Sequence, residues 1–161
     1  MTSVIRLTAT LQDGTIYLEG ALDGLAQIAP QILESGPVLK LNLEKVKSVN
    51  SLGITHWIHF LESRKCKIVE LHQCPPPFID AANMISSVTA PKAVTVTIVS
   101  MQVPYYCGKC QQDSLLLVRR DEITVAGGVI TIPKKPCAHC GQPAAEGLDP
   151  SDYLGFLLDE N

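Results

Sequence analysis

Aromatic residues, charge and long apolar runs are all in short supply in this chain. Aromatics make up 5% of its 161 residues, with one Trp, three Phe and four Tyr, so any core must be built mainly from aliphatic side chains. No apolar stretch approaches the roughly 18 residues that span a bilayer. The opening segment MTSVIRLTAT lacks the apolar stretch of a signal peptide. These absences lead us to expect a soluble, cytoplasmic chain with no direct membrane insertion. Charged residues are 18% of the chain, 13 basic against 16 acidic, giving a formal charge of −3, and neither terminus carries a run of one sign. That balance supplies no electrostatic footprint for nucleic acid, so none is expected as a partner. The hydrophobic share of 46% is nonetheless that of a folded domain, which excludes a disordered or collagen-like chain.

Cysteine is present, and its distribution divides the chain. Cys66 and Cys74 stand alone, whereas Cys107, Cys110, Cys137 and Cys140 form two close pairs. A seam is expected within Ser86–Pro91, giving residues 1–90 and 91–161 as two domains. Each is mildly acidic, with seven basic and eight acidic residues in the first and six and eight in the second.

The first half alternates strand and helix patterns. Val4–Leu11 and Thr15–Leu18 flank Asp13-Gly14, a pair suited to a tight hairpin turn. Asp23 is placed to cap a helix with apolar positions Leu25, Ile28, Ile32 and Leu33, stopped by Gly36-Pro37. Val38–Leu43 reads as a strand and Ile54–Arg64 as a helix with Ile54, Trp57, Ile58 and Leu61 on one face. Lys67–His72 is a further strand. Pro75-Pro76-Pro77 is expected to exclude helix and ladder, with a short helix only from Phe78 to Ile85. This alternation predicts an α/β layer fold, a small sheet with flanking helices. The second half reads as β-rich. Strand-like Ala93–Val103, Ser114–Arg120, Ile123–Ala126 and Val129–Ile132 include a hairpin at Gly127-Gly128, and a last helix over Tyr153–Leu158 is capped from Asp149.

Cys107-Gly-Lys-Cys110 and Cys137-Ala-His-Cys140 are two CxxC units separated by 26 residues. Two intervening residues let one turn present both sulfurs to one ion, and two such turns complete a tetrahedron. Zinc suits four thiolates, being soft and without redox chemistry of its own. The pattern is that of a zinc ribbon in which the metal is structural. A redox pair is the alternative, but it needs a strand-to-helix setting that Pro104-Tyr105-Tyr106 does not supply. His139 is a further potential ligand. Tyr105 and Tyr106 are candidates either to stack bases or to pack over a knuckle. Cys66 reads as a core thiol, and Cys74 receives no assignment.

A second candidate site is Asn50-Ser51-Leu52-Gly53, where Val46–Val49 runs into the Ile54 helix. Free N–H groups and the positive end of the helix dipole converge there. A hydroxyl at that corner is open to phosphorylation, or Asn50 or Ser51 simply caps the helix. The segment from Val38-Leu39-Lys40-Leu41-Asn42-Leu43 to Ser48-Val49-Asn50-Ser51-Leu52-Gly53-Ile54 resembles the centre of STAS domains, the sulfate-transporter and anti-sigma-factor-antagonist family. There a hydrophobic strand leads to Asp-Ser-Ser-Gly-Leu at a helix start. Ile16-Tyr17-Leu18-Glu19-Gly20-Ala21-Leu22-Asp23 resembles the family's strand ending in Gly-Glu-Leu-Asp, and Ile68-Val69-Glu70-Leu71 falls where its next strand lies. The resemblance covers residues 4–88. Asn50 replaces the family's Asp, and Leu52 its second Ser.

The resemblance implies a non-enzymatic interaction module in bacterial regulation, with Ser51 at the position phosphorylated by a partner that is both kinase and anti-sigma factor. Ser51, Asn50, Leu52, Gly53 and His56 are then the expected partner surface, with His59 beside them if Trp57 is buried. A homodimer is compatible with this reading. The alternatives are a nucleic-acid-binding zinc-ribbon protein, a small redox enzyme using the cysteine pairs, and a STAS-like subunit of a membrane transport complex.

Overall fold

The computed structural model describes residues 6–28 and 36–160, and its first sheet is built from two hairpin strands and two β-α-β units. Strands β1 (Thr8–Gln12) and β2 (Thr15–Leu22) are antiparallel. They turn at Asp13 and Gly14, whose φ values of 50° and 75° are those a two-residue hairpin requires. β3 (Val38–Val49), β4 (Ile68–His72) and β5 (Thr95–Ile98) then add in parallel, giving the order β1-β2-β3-β4-β5. Helix α1 (Ser51–Glu62) connects β3 to β4, and α2 (Pro76–Met84) lies between β4 and β5. Parallel neighbours need such crossovers, which cover the sheet with helix.

One sheet face is buried beneath these helices. Ile16, Leu18 and Leu22 alternate inward on β2, Leu39, Leu41 and Leu43 on β3, and Val69 and Leu71 on β4. The few aromatics are concentrated where the helices meet. Trp57 of α1 is 1% exposed. It lies 5.5 Å from the Phe60 ring and makes an edge contact with Phe78 of α2 at 5.3 Å. Its indole N–H donates to the Val88 carbonyl at 3.0 Å, which satisfies the one polar atom the ring carries inside.

Two local expectations are corrected. Pro76 and Pro77 do not exclude helix but open α2, with Pro75 as its N-cap. The first turn has no internal partner for its N–H groups, so a residue lacking one is at no disadvantage there. The helix expected after Asp23 does not form over residues 24–28. Asp23 instead holds a turn, its carboxylate accepting from the Leu25 N–H at 2.8 Å and its carbonyl from Ala26 at 3.1 Å. Ile32 and Leu33, like the first residues of the strand expected from Val4, lie outside the described residues.

The remaining strands form a four-stranded antiparallel sheet in the order β10-β11-β6-β7 and a separate hairpin. Their ranges are β6 (Ser100–Cys107), β7 (Gln112–Arg119), β8 (Thr124–Ala126), β9 (Val129–Thr131), β10 (Lys135–Pro136) and β11 (Pro143–Glu146). Gly127 and Gly128, both at positive φ, join β8 to β9 with Ala126 opposite Val129.

The first sheet crosses the expected seam at residue 90, because its fifth strand is Thr95–Ile98. Val99 alone separates β5 from β6, donating to the Leu71 carbonyl and accepting from the Arg120 N–H. Cys74 strengthens the junction. It is fully buried, donates from its backbone to Ser100 and accepts from Gln102, and burial holds its thiol well above the ordinary range. Cys66 is likewise buried.

The C-terminus also returns to the first half. The helix expected over 153–158 is a short α3 (Pro150–Tyr153) followed by 3₁₀ turns over Gly155–Glu160. Asp149 caps α3 by accepting from Ser151 N–H at 2.8 Å. The Asn83 amide of α2 clamps this segment, donating to the Tyr153 carbonyl at 2.8 Å and accepting from Phe156 N–H at 2.9 Å. Leu154 and Leu157 are buried, and one hydrophobic cluster runs from Leu7 to Leu157.

Candidate metal centre and helix corner

The four paired cysteines converge. Cys107 closes β6 and Cys110 lies in the turn before β7, while Cys137 and Cys140 bracket the turn between β10 and β11. Pairing of β11 with β6, with Ala145 opposite Tyr106, lays the second turn beside the first. Each turn is closed by a backbone bond back to its first cysteine, Gln111 N–H to Cys107 at 2.8 Å and Gly141 N–H to Cys137 at 3.0 Å. The closing residues Gln111 and Gly141 both adopt positive φ.

All four Sγ atoms lie within 4.8 Å of one another. The Cys107–Cys140 and Cys110–Cys137 separations are both 3.6 Å. A tetrahedron with metal–sulfur bonds of about 2.3 Å has sulfur edges of roughly 3.8 Å, so the cluster could hold a metal ion and its dimensions are consistent with zinc. Backbone N–H groups also point at the sulfurs, as from His139 to Cys137 Sγ at 3.4 Å. The N–H groups of Cys110 and Lys109 pull the Cys107 thiol down to about 6, and those of His139 and Cys140 lower Cys137. Cys110 goes the other way, to about 12, through burial and its neighbouring sulfurs. The cluster thus favours thiolate at two positions while a third retains its proton, which a cation would displace. The His139 ring is not among the clustered ligand atoms.

The lobe around the cluster is tied by polar contacts. Tyr105 is buried and donates from its hydroxyl to the Pro133 carbonyl at 2.6 Å, while Tyr106 remains exposed. Two basic residues of the lobe are matched by acids. Lys135 lies 2.6 Å from Glu122, whose carboxyl is lowered first by that bond, and Arg119 lies 2.6 Å from Asp121.

The helix corner lies at the C-terminal ends of the parallel strands, where open α/β sheets present loops and helix starts. Asn50 is the N-cap, its side-chain oxygen accepting from Gly53 N–H at 2.9 Å. Because Asn50 does the capping, Ser51 at the first helical position is exposed, and its hydroxyl has no hydrogen-bond partner among the described residues. Leu52 is 60% exposed beside it. Gly53 is buried because the helix start abuts the end of β2, where Asn50 N–H donates to the Leu22 carbonyl at 3.1 Å. Asn50→Ala is expected to destabilise the protein by about 1 kcal/mol, measurable as a shifted urea midpoint with unchanged slope.

Ser51 also borders a groove of about 520 Å³ running between Lys47–Ser48 of β3 and Asp80, Met84 and Ile85 at the end of α2. Met84 is 72% exposed. These α2 residues were not legible as site residues; the one signal was an apolar Met-Ile pair ending a helix. His56 and His59 are exposed along α1 and line a different groove, with Leu25, Ala26 and Phe60. No described helix is long and apolar enough to cross a membrane. No family model matches the chain, and neither the curated proteins nor the solved structures give a match.

Proposed function

We propose that this chain is a non-enzymatic protein–protein interaction module of the STAS kind, whose partner surface is the Ser51 corner and whose C-terminal lobe is closed by a structural zinc ion. The observation that carries the reading is the exposed, unbonded Ser51 hydroxyl at the start of α1, flanked by exposed apolar Leu52 and Met84. An exposed apolar rim around a polar centre suits a docking partner. The parallel order β2-β3-β4 with α1 following β3 agrees with the order of the segments that resemble the family.

The partner class implied is a regulatory protein such as an anti-sigma factor that is also a kinase. A phosphate on Ser51 would lie at the N-terminal end of α1, where N–H groups and the helix dipole favour it, while adding negative charge to a surface that otherwise docks through apolar contacts. Four thiolates suit zinc, which would close the ribbon without chemistry of its own.

The test is quantitative binding to candidate anti-sigma kinases, followed by mass spectrometry of Ser51 after incubation with the kinase and ATP. Leu52→Asp and Ser51→Asp should each weaken binding at least tenfold while the folded spectrum is retained. Equal affinity of both variants and the unmodified protein for every partner found would overturn the assignment of this surface.

A further inference from the structure

Strand β7 is an outer strand of its sheet, paired with β6 on one side, and no described strand pairs with its other side. Exposed, regular edges are normally blunted, because their free N–H and C=O groups template further pairing. This one is eight residues long and carries Leu115 at 52% and Leu117 at 46% exposure.

The direction of its backbone groups follows from the ladder. Arg120 N–H donates to the Val99 carbonyl, and the β6–β7 register continues from that pair. Alternation in an antiparallel ladder therefore turns the backbone groups of residues 112, 114, 116 and 118 towards β6. Those of Asp113, Leu115, Leu117 and Arg119 point off the sheet. The Arg119 N–H is already taken by the Glu122 carboxylate at 2.8 Å, which leaves Asp113, Leu115 and Leu117 as the open edge.

We propose that β7 is a homodimerisation edge, pairing antiparallel with β7 of a second copy about a two-fold axis at Leu116. Outward-pointing residues can pair only with outward-pointing residues, so the symmetric registers are few. Centring on Leu116 places Leu115 opposite the second copy's Leu117, and Asp113 opposite its Arg119, each twice. Moving the axis to Leu115 sets Asp113 against Leu117, and moving it to Leu117 sets Arg119 against Leu115. The strand is thus complementary to itself in charge and in apolar contact at one register. Arg119 already pairs with Asp121 at 2.6 Å on the exposed surface, and the second copy's Asp113 would join that guanidinium from the open side of the strand. A self-complementary patch related by a two-fold axis closes on itself and does not propagate into a filament. Cross-strand leucine and opposite-charge pairs are the units that stabilise such an added ladder.

Sedimentation of the full-length protein over a concentration series tests this. A monomer–dimer equilibrium is expected. Asp113→Arg and Arg119→Asp should each weaken it about tenfold or more, since each change acts at two symmetry-related positions. An equimolar mixture of those two variants should restore a dimer, because each then offers the charge the other lacks. Asp121→Asn, which removes the internal partner of Arg119 and one acidic charge facing Asp113, should leave dimerisation at least as strong as in the unmodified protein. Circular dichroism and the tyrosine signals of the C-terminal lobe report that each variant is folded. A protein that stays monomeric throughout the series, or a dimer indifferent to both charge changes, overturns the proposal.

Discussion

Cys107→Ser is expected to abolish binding of the zinc ion proposed for the cysteine cluster and to unfold the C-terminal lobe, a loss of more than about 4 kcal/mol. β6 and β7 share the common core, but the knuckle end has little else to hold it: β8 and β9 are three residues each, β10 is two, and the two knuckles are turns with exposed tips. Four sulfurs gathered within 4.8 Å without a cation would leave mixed thiols and thiolates crowded together. Chelation of the wild type should reproduce the effect. The single Trp makes the two halves separable by spectroscopy. Trp57 packs among Phe60 and Phe78 away from the cysteines, so its emission should stay that of a buried indole while tyrosine signals from the lobe change. The sign of the pH dependence is set by the N–H donors. They hold Cys107 at about 6, below its ordinary 9.0, so the thiolate is present in the folded lobe at neutral pH. Stability from that thiolate is complete above about 9 and lost as pH falls through about 6. Metal binding needs the deprotonated sulfurs, so metal release should accompany acidification. A chelated protein with an unchanged melting profile would remove the structural role assigned to the ion.

Gly53→Ala should destabilise the protein by about 3–5 kcal/mol, against the intrinsic helix preference for Ala of about 1 kcal/mol. A Cβ at this position would lie 1.8 Å from the Leu22 carbonyl oxygen and 2.7 Å from the Asp23 nitrogen, both backbone atoms that cannot rotate aside. The helix start would have to lift from the end of β2, breaking the Asn50-to-Leu22 bond and displacing the Ser51 corner. Urea unfolding followed by Trp57 fluorescence measures this directly. A neutral or stabilising result would mean that α1 does not sit against β2 as described. The neighbouring Leu52→Ala, at an exposed site, should change stability by less than about 0.5 kcal/mol.

Where the physics is local, expectation and structure agree closely. Asp13-Gly14 and Gly127-Gly128 each make the turn their positive φ values permit, and Asp149 caps the helix it precedes. The three prolines were misjudged although the relevant rule is also local, because a first helical turn tolerates what a helix interior rejects. The seam failed for a different reason. Whether Thr95–Ile98 adds to the first sheet or opens the second depends on which edge it meets, and composition around residue 90 carries no record of that.

The two cysteine pairs and the serine-bearing helix start were legible in the chain alone, since two residues between cysteines and a cap before an apolar helix act over one turn. The choice of Asn50 over Ser51 as cap is made within that same turn, by the Asn50–Gly53 bond. Tertiary structure alone decided that Met84 and Ile85 border the same groove and that β7 is left as an open edge. Those outcomes depend on contacts between residues distant in sequence, where packing selects among several locally acceptable arrangements.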